Sequence, residues 1–161
     1  MSSILKVDTI QNTGGTTALT IDSAGRLLKP ATPHFHVTKS NGSIGANTTV
    51  VYNNVIRDTE SAYSTSTGKY TIPSGLTGLW WFGVSALAND TDIIEISFKV
   101  NNTGIFNARN RDDGNTIASS AAISAAYYVT SGDEIAINTE GNSSMYGFGT
   151  PYSFWTGYFI G

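Results

Sequence analysis

The sequence predicts an all-β protein, an antiparallel sandwich or barrel, on three observations. From residue 34 onward, segments that alternate apolar and polar residues follow one another, with turn signals between them. No segment shows the 3.6-residue apolar spacing of an amphipathic helix. Only 13% of the 161 residues are charged, and Thr, Ser, Asn and Gly, which suit strands and turns better than helices, fill the gap.

The first thirty residues form a separate segment, which we call the leader. Its extended pieces are residues 4–10, 18–22 and 26–28, with turn signals at 12–15 and 22–25. Pro30 and Pro33 mark a boundary, so we place the leader at 1–30 and the main domain at 31–161. The leader has too few apolar residues to bury a core of its own. We expect it to be ordered by pairing with sister chains or another protein, and a flexible leader is the alternative.

The main domain then reads as a series of short strands. We predict strands at 34–38, 48–56, 70–72, 79–87, 94–100, 105–109, 123–129, 134–138 and 154–160. Trp80, Phe82 and Val84 share one face of a central strand, because successive side chains point to opposite faces. Residues 101–104 predict a hairpin and residues 131–133 a turn, since both contain the residues that such connections need.

Composition excludes several classes of function. The net charge of -3, with nine scattered basic residues, offers no cationic surface for nucleic acid. The longest apolar run, Leu79–Ala88, has ten residues and is too short to span a bilayer, so we expect no membrane insertion. Lys6 and Asp8 stand where a signal peptide needs an apolar core, so we expect no secretory export. With no Cys, disulfides and thiol chemistry are excluded.

Four stretches of the main domain carry a family resemblance. They are Pro33-His34-Phe35, Tyr70–Pro73 followed by Gly78–Phe82, Val129–Ile135, and the closing Phe154–Ile160. In this order they resemble the globular head of complement component 1q and its bacterial and viral relatives, which share the tumour-necrosis-factor jelly roll. The resemblance implies an antiparallel jelly-roll β-sandwich that assembles as a homotrimer, here with a short extended N-terminal stem.

The leader carries a second resemblance. Leu5–Ile10 and Leu19–Arg26 look like the N-terminal attachment pieces of bacteriophage tail and head fibres, which often precede a trimeric knob. This implies a bacteriophage structural protein, a trimeric tail fibre or fibre knob that binds a host surface glycan or protein. It would be made in the host cytoplasm and exposed on the virion. The leader would dock onto the tail baseplate or capsid through Leu5, Val7, Ile10, Leu19 and Ile21.

Two other functions stay open on the sequence. A capsid decoration or head fibre protein would use the same head in a mechanical role. A secreted, lectin-like adhesive module is the third alternative. We expect no enzyme, because there is no Cys, no Gly-x-Ser-x-Gly motif and no convincing set of catalytic residues.

The His34-Phe35-His36 triplet predicts a metal site. If Phe35 faces the core, both imidazoles face the other way. The resemblance places the first strand of the jelly roll near the threefold axis, where three chains would supply six imidazoles. Such a set suits Fe, Ni or Zn. The alternative is a pair of ordinary interface or surface histidines.

Aromatic residues exceed what one small core requires. We predict a trimer interface that includes Phe35, Trp81, Tyr128, Trp155 and Phe159. The aromatics near the C-terminus outside the strands, Tyr146, Phe148 and Tyr152, are candidates for a receptor-binding platform that stacks on sugar rings.

Overall fold

The computed structural model describes residues 6–29, 32–88, 93–111, 119–141, 145–146 and 152–161, and every regular element among them is a strand. No helix in this part of the chain is long and apolar enough to cross a membrane. The chain divides into two compact units, Met1–Thr32 and Pro33–Gly161. We keep the name leader for the first unit and call the second the head.

The leader is a three-stranded antiparallel sheet. Its strands are β1 (Thr9–Gln11), β2 (Thr17–Ile21) and β3 (Leu27–Leu28), in that order across the sheet. The two turns have the same geometry. The Asn12 carboxamide oxygen accepts hydrogen bonds from the amides of Gly14 and Thr16, and the Asp22 carboxylate accepts them from Ala24 and Arg26. A glycine with positive φ closes each turn, so the sequence folds the same ten-residue hairpin unit twice.

The head is a sandwich of two antiparallel sheets. Its strands are β4 (His34–Thr38), β5 (Ser43–Ile44), β6 (Asn54–Asp58), β7 (Tyr63–Ser64), β8 (Lys69–Thr71), β9 (Gly78–Ala88), β10 (Ile93–Val100), β11 (Thr103–Arg111), β12 (Ser120–Val129), β13 (Glu134–Thr139), β14 (Met145–Tyr146) and β15 (Phe154–Phe159). One sheet has five strands in the order β11-β10-β13-β8-β7, and we call it the outer sheet. The other, the inner sheet, has the order β5-β14-β9-β15-β4-β6, and a seventh strand, β12, also pairs with β9 outside this order.

The core lies between the two sheets and is aromatic at its centre. Phe35, Trp80, Phe82 and Trp155 are almost completely buried, and the Phe35 ring stacks on Tyr70 with centroids 4.2 Å apart. The predicted inward faces of residues 80–86 and 94–100 are confirmed, because their alternate apolar side chains are buried. Strand β15 passes through this centre only because Gly157 has no side chain. A Cβ there would lie 2.6 Å from a ring carbon of Phe35.

One predicted strand is wrong over most of its length. Of the predicted 48–56 segment, only residues 54–56 are strand, as the first part of β6 (Asn54–Asp58). Val50 and Tyr52 are fully buried, and their amides donate to the Ile137 carbonyl and to the Tyr63 hydroxyl oxygen. The chain therefore crosses the core as a loop. Its buried amides donate to two different elements, so they are satisfied without a neighbouring strand.

Two predicted turns are confirmed. Asn101 and Asn102 both have positive φ between β10 and β11, as a tight two-residue hairpin requires. Gly132 has a φ of 92°, and the Asp133 carboxylate accepts a hydrogen bond of 2.7 Å from the Thr130 amide. Local turn chemistry therefore fixes both connections.

Candidate interaction surface

Four adjacent strands of the inner sheet differ from the rest of the head in their lack of charge, whereas β6 at the edge of the same sheet carries Arg57 opposite His36. The four strands, β12, β9, β15 and β4, contain no Asp, Glu, Lys or Arg. The outer sheet carries ion pairs instead, Lys69 with Glu134, Lys99 with Glu140 and Arg109 with Glu95. One broad side of the sandwich is therefore suited to water and the other to contact with protein.

An aromatic pair lies at the centre of this uncharged face. Register places His34, Tyr158, Trp81 and Ala126 opposite one another on neighbouring strands. The rings of Trp81 and Tyr158 stack, with centroids 5.3 Å apart and planes 28° apart. The Trp81 ring lies over Gly83, where a Cβ would be 2.5 Å from the Cη2 atom of Trp81. Because Gly83 has no side chain, the indole of Trp81 can lie directly against the sheet at this position.

A second row of apolar side chains continues the face. Tyr128 lies opposite Leu79, and Leu79 accepts a hydrogen bond from the amide of Ile160 on its other side. All three side chains are exposed, Tyr128 to 63%. Aromatic and aliphatic groups held at this exposure on fixed strands form a continuous apolar patch, which is typical of an interface.

Strand β12 forms an edge of the sheet next to this patch. It pairs with β9 in unbroken register from Ser120 to Val129, and on its other side no strand pairs with it among the described residues. It has no charge, no proline and no bulge, the features with which proteins protect exposed edges. Its outward side chains are small and exposed from Ser120 to Ala126. We call this strand the β12 edge.

The two histidines lie on the same face, as the sequence predicts. His34 and His36 are half-buried and lie opposite Tyr158 and Thr156, while Phe35 between them points into the core. The His36 ring packs at 5.7 Å from Phe154, and burial lowers its pKa. Among the described residues of one chain, no group of three or more His, Asp or Glu side chains could hold a metal ion.

The structure corrects three of the predicted interface residues. Phe35 and Trp155 are fully buried inside the subunit and have no surface to offer a sister chain. Phe159 packs against the core, with its ring 5.5 Å from that of Trp80. Residues 155, 157 and 159 of β15 face the core. The prediction that the side chains of Trp155 and Phe159 point outward was therefore wrong.

The outward set of β15 includes Tyr158, which sequence analysis missed. The glycine at 157 is the signal that could have identified the phase, because a strand at the centre of an aromatic core needs its small residue on the inward side. Trp81 and Tyr128 do point outward, as predicted.

The predicted receptor-binding and docking residues are described only in part. Tyr152 is exposed, whereas Phe148 and the side chain of Tyr146 lie outside the described residues. Leu5 also lies outside them. The other docking residues are in the leader: Val7 is half-buried ahead of β1, and Ile10, Leu19 and Ile21 lie on β1 and β2.

Comparison with known proteins identifies the head. Residues 34–160 match the C1q domain family. Among solved structures, the chain is similar to the Eiger TNF of S. frugiperda, with a TM-score of 0.69 at 13% identity over 81% of this chain and 93% of that one. It is also similar to the globular domain of zebrafish complement 1qA, with a TM-score of 0.65 at 15% identity over 80% and 98%. Murine APRIL gives a TM-score of 0.63 at 9% identity over 80% and 99%. No curated protein matches the sequence.

Proposed function

This chain belongs to the C1q domain family, and we propose that it is the non-enzymatic binding head of a homotrimeric bacteriophage fibre that attaches the particle to its host. The jelly-roll sandwich supports a binding module, because the fold is shared with complement and tumour-necrosis-factor proteins. The leader supports attachment to a virion, because it forms a separate unit and resembles the attachment pieces of phage fibres. Made in the host cytoplasm, the protein would be exposed on the virion.

The uncharged face of the inner sheet is the main observation that supports the homotrimer. Its stacked Trp81 and Tyr158 and the exposed Tyr128 are large apolar groups on rigid strands. Burial of such groups contributes about 25 cal/mol per Å² of apolar area removed from water. The charged outer sheet offers no comparable gain. Association through the inner sheet therefore hides the apolar patch and leaves the outer sheet in water.

Sedimentation of the purified chain tests the trimer. The wild type should sediment as a trimer at micromolar concentration, and Tyr128→Lys should shift it toward monomer. Because Tyr128 is exposed in the subunit, its replacement should leave the fold intact. Asn107→Lys, at an exposed position of β11 in the outer sheet, is the matched control and should remain trimeric. A monomeric wild type at this concentration would show the proposal to be wrong.

The outward imidazoles of His34 and His36 support a transition-metal site shared between copies. Three chains supply six imidazoles, a donor set that suits Fe, Ni or Zn. Metal analysis of the purified trimer should find one ion per trimer, and His36→Gln should remove it. Less than one ion per trimer would end this part of the proposal.

Host attachment would use surfaces that the trimer leaves open. The exposed Tyr152 belongs to the region of Tyr146 and Phe148, where aromatic side chains would stack on sugar rings of a surface glycan. Binding of the purified protein to host cells, and its loss in Tyr152→Ala, tests this role. If the protein fails to bind cells and instead saturates capsids, the function is capsid decoration.

A further inference from the structure

The leader has an apolar face that it does not bury. Register places Ile10 opposite Leu19 and Ile21 opposite Leu27, and Leu19 and Ile21 lie two apart on β2, so the four share one face. Leu27 is 56% exposed, and among residues 6–29 no side chain is buried. Covering this face would remove its apolar side chains from water and so stabilise the sheet.

The edges of the same sheet are open, and one charged residue flanks each edge strand. Strands β1 and β3 each pair only with β2 in the described part of the chain. Asp8 directly precedes β1 and Lys29 directly follows β3, and both are exposed. Neither forms an ion pair with another described residue. Both strands run antiparallel to β2, so they run parallel to each other. A β1 edge can therefore lie beside the β3 edge of another copy in a rotational ring.

We propose that the leaders of three copies close into one ring with their apolar faces inward. Ile10, Leu19, Ile21 and Leu27 of each copy form the shared core. The β1 edge of each leader adjoins the β3 edge of the next. Closure removes the open edges as well as the exposed apolar face.

The ring rests on the proposed homotrimer. Because each leader is covalently linked to a head, the leaders of sister chains are favoured over a particle protein as the groups that cover the apolar face. A trimeric head holds three identical leaders at an effective concentration of about millimolar. Three copies of one sheet also supply complementary edges without a further partner. The proposal assigns Ile10, Leu19 and Ile21 to contacts between copies. It leaves the opposite face, which carries Leu28, for the particle.

Single cysteines test the ring cleanly, because the chain contains no Cys. Leu27→Cys places a thiol on the apolar face, and Leu28→Cys places one on the opposite face of the same strand, where the native side chain is 46% exposed. In the purified full-length protein, Leu27→Cys should react at least tenfold more slowly with a soluble thiol reagent. On mild oxidation with diamide it should form disulfide-linked dimers, and Leu28→Cys should not. Ile10→Cys should behave like Leu27→Cys.

The outcomes separate the ring from the trimer. If the wild type sediments as a monomer, the homotrimer is wrong and the ring with it. If the protein sediments as a trimer but both thiols react at the same rate without crosslinking, the ring alone is wrong. If Leu27→Cys is protected only after incorporation into particles, the apolar face belongs to a particle protein, which also overturns the ring.

Discussion

Two glycines on neighbouring strands allow folding and association to be perturbed separately. Gly83 on β9 lies opposite Thr156, and Gly157 on β15 lies opposite Phe82, so they are adjacent in the sheet and face opposite sides. Gly83 faces the uncharged surface and Gly157 faces the core. We predict that Gly83→Ala weakens association with little effect on the folded subunit. We predict that Gly157→Ala destabilises the subunit itself.

The Gly83→Ala effect arises from the indole that covers this position. The new Cβ would lie 2.5 Å from the Cη2 atom of Trp81. The indole must therefore move away from residue 83 and lose its stacking contact with Tyr158. Only the far end of a surface side chain has to move, so the subunit should lose less than about 1 kcal/mol. Displacing a central interface tryptophan costs about 1–2 kcal/mol per subunit. Over three copies this lowers the association constant roughly 100- to 10,000-fold, at about 1.4 kcal/mol per tenfold change.

The Gly157→Ala effect arises from rings that cannot move away. Its Cβ would lie 2.6 Å from Phe35 Cε1 and 2.8 Å from Phe82 Cδ1, and both side chains are buried at the centre of the core. Overpacking of this kind costs about 1–3 kcal/mol. For a unit the size of the head, each kcal/mol lowers Tm by about 3–5 °C.

Sedimentation velocity and thermal unfolding distinguish the two effects. Gly83→Ala should shift the population toward monomer while the unfolding of the monomer is unchanged, and Gly157→Ala should lower Tm. Gly45→Ala is the control, because its Cβ would meet no atom within 4 Å, and neither measurement should change. If the Gly83→Ala variant associates as strongly as the wild type, the role of the Trp81 face in association is refuted. An unchanged Tm in Gly157→Ala would refute the packing argument.

Four further predictions concern buried hydroxyls and the leader turns. Tyr52→Phe should leave unfolding free energy unchanged or slightly raised, because the buried Tyr52 hydroxyl has no partner among the described residues. Tyr63→Phe should cost about 1–3 kcal/mol in chemical denaturation, because it orphans the buried Tyr52 amide that donates to it at 2.8 Å. Burial raises the pKa of Tyr63 to about 12, so its contribution should be complete below pH 10 and lost as pH rises toward 12, which absorbance titration with denaturation would detect. Asp22→Ala should speed hydrogen exchange at the amides of Ala24 and Arg26, whereas Asp22→Asn should keep them protected.

The alternation of apolar residues predicted most of the head, because both sheets are half-buried and show the period of two. Residues 94–100 lie between a packed interior and a charged exterior, so their pattern is unambiguous. The segment around Val50 and Tyr52 misled the same reasoning. Its buried side chains suggest a strand, but its amides bond to a carbonyl of β13 and to a hydroxyl, a pairing that only the folded chain brings together.

The interaction surface was harder to predict because β15 has aromatic residues on both faces, so its sequence does not show which face points outward. Phe154, Trp155, Tyr158 and Phe159 give no polar marker of the exposed side, and only the neighbours of Gly157 decide it. The repeated hairpin of the leader was missed because its two copies share turn residues rather than a sequence. The side chains of Asn12 and Asp22 differ in chemistry, yet each accepts hydrogen bonds from the backbone amides two and four residues further on.

The β12 edge has a consequence for how the protein is made. A newly folded subunit presents a ten-residue strand that pairs only with β9 among the described strands, so its other side can pair with a strand of another chain. Correct association must therefore be faster than random strand pairing, and refolding at high protein concentration should favour aggregates. Synthesis of several chains from one messenger, where sister subunits emerge side by side, would shorten that vulnerable interval.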